Sequence, residues 1–95
     1  MSIHLIVTFE ASGEKLASFR QILQQVKADL PGVRGCQSVR IFNSKANERV
    51  FTLVETWDSE SAHRAHIESV VRSGAWERIR GHLVGDPLSN YLREL

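Results

Sequence analysis

An α+β fold, with a four-stranded antiparallel sheet carrying helices on one face, is predicted by three features of this sequence. Residues 3–9 and 49–57 alternate inward and outward side chains with the period of two that a strand requires. Residues 16–30 instead repeat apolar side chains at steps of three and four, which draws one stripe along a helix. The elements follow one another as strand, helix, strand, strand, helix, short helix, strand, an order that suits such a sheet.

In the first strand Ile3, Leu5, Val7 and Phe9 alternate with His4, Ile6, Thr8 and Glu10. Leu16, Phe19, Leu23, Val26 and Leu30 form the apolar stripe of the first helix, which Pro31 and Gly32 end. Residues 36–43 and 49–57 read as two further strands joined through the turn-forming Ser-Lys-Ala-Asn at 44–47. Asp58 or Ser59 caps the next helix, whose apolar side carries Ala62, His63, His66, Ile67 and Val70, while Glu60, Arg64, Glu68 and Arg72 face solvent. Gly74 interrupts it. Trp76, Ile79 and Leu83 suggest a short further helix, and after Gly85, Asp86 and Pro87 residues 88–95 form a last extended segment. The expected architecture is ferredoxin-like, one domain over residues 1–95.

The third strand places Phe51, Leu53 and Trp57 on one face and Val50 and Val54 on the other. Helices cover one face only, so the other is expected to meet a second copy of the chain, giving a homodimer packed sheet to sheet. Twelve Lys and Arg stand against eleven Asp and Glu, and the basic residues are scattered singly. That distribution excludes nucleic acid as a partner. Cys36 is the one cysteine, so no intrachain disulfide forms and a cytoplasmic location is expected. The apolar run near the start is far shorter than the ~20 residues a membrane helix needs, and no membrane partner is expected.

Trp57, His63 and His66 gather where the third strand runs into a helix. Trp57 has two readings: a core residue, or the wall of a small-molecule pocket whose indole N–H orients a carbonyl or phenolic oxygen. His66 is either a base or a structural tie to a backbone carbonyl across the seam of helix and sheet. His63 precedes it by one helical turn, with Cβ atoms ~5–6 Å apart, so both reach one cavity. A neutral imidazole, with an unperturbed pKa of ~6.5, is the commonest general base near neutral pH. Glu60 and His63 also spell Glu-x-x-His, but a di-iron site needs two such motifs and further carboxylates, so no metal is expected. Arg40 and Ser38 share a strand face with Phe42, and Glu55 beside Arg40 or Arg49 reads as one half of a cross-strand ion pair. Cys36 reads as an inert, partly buried thiol. None of these four polar residues is assigned a catalytic role.

The segment ETWDSESAHRAH, residues 55–66, resembles the Glu-x-Trp-x-Ser…Ala-x-x-x-His signature of the antibiotic biosynthesis monooxygenase family, and PGVRGC at 31–36 resembles its Pro-Gly-Cys turn. The resemblance implies a dimeric α/β barrel with a pocket in each subunit between sheet and helices. It also implies, in many members, oxidation of phenols or quinols by dioxygen without a cofactor. Such chemistry needs a substrate that can itself give up an electron, and a protein that deprotonates, orients and desolvates it. Antibiotic-tailoring relatives tend to carry a tyrosine where His63 stands and an asparagine where Leu53 stands, which speaks against anthrone-type oxidation here. The haem-degrading branch needs an asparagine on the first strand, absent from IHLIVTF. The expectation is therefore a cofactor-independent monooxygenase acting with dioxygen on a small phenolic, quinol or enolisable substrate, with His66, His63 and Trp57 as catalytic residues and with neither cofactor nor metal. The alternatives are a non-catalytic dimeric ligand-binding module and an isomerase of a small hydroxy-carbonyl signal molecule.

Overall fold

Alternation along β1 (Ile3–Glu10) turns Leu5, Val7 and Phe9 to one side, where all three are buried. The computed structural model, which describes residues 2–95, sets β1 at the middle of a sheet ordered β2-β3-β1-β4. Here β2 is Cys36–Asn43, β3 is Val50–Trp57 and β4 is Leu88–Leu92. Every neighbouring pair is antiparallel. The register of β1 on β3 runs from Ile3 opposite Trp57 to Glu10 opposite Val50, so Phe51, Leu53, Glu55 and Trp57 share the buried face with Leu5, Val7 and Phe9.

Helix α1 (Leu16–Asp29) lays Phe19, Ile22 and Leu23 onto that face. The Phe19 ring meets Phe9 and Phe51 edge to face, with centroids 5.8 and 5.6 Å apart, a favoured aromatic geometry. Helix α2 (Glu60–Arg72) begins at Ser59, whose hydroxyl accepts from the Ala62 N–H at 3.1 Å; this settles which of Asp58 and Ser59 is the cap. Gly35 fixes how closely α2 approaches. It has φ +89°, and a Cβ there would stand 2.6 Å from the Ala62 Cβ, so glycine supplies both the left-handed backbone and the missing volume. A short α3 (Ala75–Arg80) follows.

Several boundaries differ from the sequence expectation. The third strand begins at Val50, because Arg49 belongs to the turn, where the Asn47 side chain accepts its N–H. The short helix stops at Arg80, and Leu83 instead bridges to Ala11 beside the core. The last strand ends at Leu92, where its pairing with β1 at His4 runs out.

The opposite face of the sheet carries no helix. It presents Ile6, Val54, Phe42 and Leu92 together with side-chain pairs Thr8–Thr52 at 3.1 Å and His4–Thr56 at 3.0 Å. Among the described residues, no helix is long and apolar enough to cross a membrane.

Candidate functional site

A cavity lies between the helices and the covered face of the sheet, in two open lobes. One, of about 310 Å³, is walled by α1, α2, α3 and β3; the other, of about 590 Å³, lies between α2, β1 and β4. These volumes suit small-molecule ligands. Phe9, Glu55, His63, Ile67, Val70 and Trp76 line both lobes and so mark their junction.

Among the described residues, Glu55 and His63 are the buried polar or charged residues, each 6% exposed. Both stand at that junction. A buried polar group is costly unless it is partnered, and each has a partner. The Trp57 Nε1–H donates to Glu55 Oε1 at 2.8 Å, and His63 Nδ1 is hydrogen-bonded to the Tyr91 hydroxyl at 2.6 Å. Tyr91 arrives on β4 opposite Leu5, which turns it toward the covered face.

Burial raises the Glu55 pKa above the ordinary carboxyl value, and the indole hydrogen bond draws it part of the way back. Burial lowers the His63 pKa, the neighbouring His66 lowers it further, and Glu60 opposes them. Burial alone lowers that of His66. Both imidazoles are thus biased toward the neutral form, because desolvation penalises their charged state.

The three residues expected from the sequence come together, although not in the expected way. Trp57 is 0% exposed and lies behind the cavity, with its ring 5.2 Å from His63 and 5.4 Å from His66 between centroids. Its indole N–H donates to Glu55, because the register of β3 points both side chains inward, two residues apart on one face. His66 lines the smaller lobe, and among the described residues it makes no hydrogen bond to a backbone carbonyl across the seam.

Glu55 does not form an ion pair with Arg40 or Arg49. Arg40 stands opposite Val54 on the uncovered face, its guanidinium 5.1 Å from the Phe42 ring centroid. Arg49 pairs with Glu10 at 3.7 Å. The signal for Glu55 was present in the sequence as the third member of the Phe51, Leu53, Glu55, Trp57 alternation. Tyr91 left no comparable local signal. Cys36 is partly buried, as expected, and its thiol pKa is raised, chiefly by burial. Among the described residues, no group of three or more His, Cys, Asp or Glu gathers in a way that would hold a metal ion.

A family model described as antibiotic biosynthesis monooxygenase matches residues 2–77. No curated protein sequence matches the chain. Among solved structures, a conserved protein from Methanosarcina mazei is similar with TM-score 0.87 and 18% identity, over 100% of this chain and 94% of that one. Rv0793 from Mycobacterium tuberculosis is similar with TM-score 0.87 and 18% identity, over 100% and 96%. A mutant of SnoaB, a cofactor-independent oxygenase from Streptomyces nogalater, is similar with TM-score 0.81 and 11% identity, over 98% and 92%. At these identities the likeness shows the ferredoxin-like fold.

Proposed function

This chain belongs to the antibiotic biosynthesis monooxygenase family, and on that premise we propose that it is a cofactor-independent monooxygenase that oxidises a small phenolic, quinol or enolisable substrate with dioxygen. The observation that carries the reading is that the two buried polar side chains, Glu55 and His63, both stand at the junction of an otherwise largely apolar cavity, which His66 also lines, with both imidazoles biased toward the neutral form. The cofactor independence of the similarly folded SnoaB supports it.

The chain's own residues supply a base, an oriented hydrogen bond and a largely apolar pocket. If His63 Nδ1–H donates to the Tyr91 oxygen, Nε2 holds a lone pair and takes the substrate's hydroxyl proton. If the Tyr91 O–H donates to Nδ1, Nε2–H donates to a substrate oxygen instead. In the first arrangement the phenolate so formed is electron-rich enough to reduce dioxygen. One oxygen atom then enters the ring carbon as a carbonyl, and the second leaves as water with the hydrogens of the substrate O–H and C–H. His66 widens the neutral wall of the smaller lobe, and Trp57 acts through Glu55 rather than on the substrate.

Dioxygen uptake with a panel of hydroxyarenes and quinols tests the reading. Replacement His63→Gln is expected to lower turnover by ~10² to 10⁴, and His66→Gln by less. Saturable binding with no uptake across the panel would replace this function with a ligand-binding module, and conversion without uptake would point to an isomerase.

We also propose a homodimer packed through the uncovered sheet face, since a contiguous surface of Ile6, Phe42, Val54 and Leu92 beside paired threonines is unusual when left in water.

A further inference from the structure

The Glu55 carboxyl has a role that neither the proton transfers above nor packing uses. Its Oε1 is held by the Trp57 N–H at 2.8 Å. Among the described residues Oε2 has no protein donor, and no sealed side-chain oxygen or nitrogen lacks a partner. That second oxygen is therefore not sealed off, and Glu55 lines the junction of the two lobes. The charged side chains elsewhere around the cavity, Asp29 and Arg78 in one lobe and Arg64 and Glu68 in the other, belong to exposed residues at its edges. No cation among the cavity residues is buried with Glu55.

We infer that Glu55 is the specificity-determining residue of this site: its free oxygen receives a hydroxyl of an uncharged hydroxyarene or quinol other than the one His63 deprotonates, and the same carboxyl rejects substrates that place a carboxylate beside it. The inference rests on the proposed function for its substrate class, and it adds which residue selects the ligand and which ligands are refused. A carboxyl in an apolar enclosure accepts an O–H in either protonation state. A second carboxylate placed beside it cannot share the site while both are ionised, because like charges at close range raise one another's pKa steeply. The indole bond leaves one oxygen free and fixes the other, so the carboxyl is oriented before the ligand arrives.

The test is direct binding, by calorimetry at about pH 8, of three ligands that differ only at the pole: 2-naphthol, 2-naphthamide and 2-naphthoate. The intact protein is expected to bind the naphthol and the amide at least ~10-fold more tightly than the carboxylate, equivalent to one pKa unit of like-charge repulsion. Glu55→Gln keeps an acceptor for the Trp57 N–H and removes the charge. It is expected to bring the carboxylate within ~3-fold of the amide, mainly by improving binding of the carboxylate. Equal binding of amide and carboxylate by the intact protein would overturn the inference, as would the same ratio in folded Glu55→Gln or no saturable binding of the naphthol. Amide and carboxylate have nearly the same shape, so equal binding by the intact protein overturns the inference even if the variant does not fold, and because an apolar pocket disfavours any carboxylate, the narrowing of the ratio in Glu55→Gln is what assigns the selection to Glu55. Selective binding without dioxygen uptake would retire the oxygenation and leave this inference standing; uptake with unselective binding would do the reverse.

Discussion

Trp57→Phe separates a tryptophan that supports a carboxyl from one that faces a substrate. The side chain is 0% exposed, and its N–H is the protein donor to Glu55 Oε1, at 2.8 Å. Phenylalanine keeps one ring and leaves a void where the second was, which costs ~1–2 kcal/mol in a region that cannot fully collapse. The carboxyl loses its donor inside the fold, a further ~1–3 kcal/mol. The expected total is ~2–5 kcal/mol of unfolding free energy, measured by urea denaturation. The second part depends on charge. The indole bond lowers the Glu55 pKa against the effect of burial, so without it the carboxyl is protonated more readily and the loss is smaller at about pH 5 than at about pH 8. In a Glu55→Met background the hydrogen-bond part has no acceptor, and Trp57→Phe should cost only the packing part, giving a coupling of ~1–3 kcal/mol between the two residues. A cost below ~1 kcal/mol, or the same cost in both backgrounds, would refute the reasoning. An unchanged stability with a raised KM would return Trp57 to the role of a substrate wall.

Gly35→Ala is expected to destabilise by ~2–5 kcal/mol, from the positive φ of +89° and the 2.6 Å approach to Ala62; Ala62→Gly should restore part of it in thermal melts. Glu55 has a raised folded pKa, so the native state holds its proton more tightly than the unfolded chain, and its contribution to stability is lost as pH rises from near 4.5 through the folded pKa. Glu55→Gln should therefore gain in melting temperature relative to the intact protein as pH increases. His63 and His66 have lowered folded pKa values, so their contribution is present above about 6.5 and is lost as pH falls below it; the acid limb of activity is expected below that value, read from a pH–rate profile. The protein, of 10.7 kDa chain mass, is expected to scatter light as a particle near twice that mass, and a micromolar monomer would remove the proposed interface.

Local pattern made most of the fold legible, because the side-chain periods of a strand and a helix are fixed by backbone geometry. Alternation at Ile3 to Phe9 identifies a strand wherever that strand ends up, and the stripe from Leu16 to Val26 identifies α1. The same periodicity assembled Trp57, His63 and His66 at one corner, since a strand end and the first turns of the following helix are close by covalent connection. It did not decide what those groups do. Glu55 lies on the same strand face as Phe51 and Leu53, yet its charge marks it as a rim residue until α2 closes over it and an indole N–H from the same face satisfies it. Tyr91, 28 residues from His63, reaches the imidazole because β4 pairs with β1 and places it beside Leu5. A partnership across such a separation has no sequence period to reveal it. It exists only once the sheet order is set and the packed helices leave the two groups one shared cavity to face.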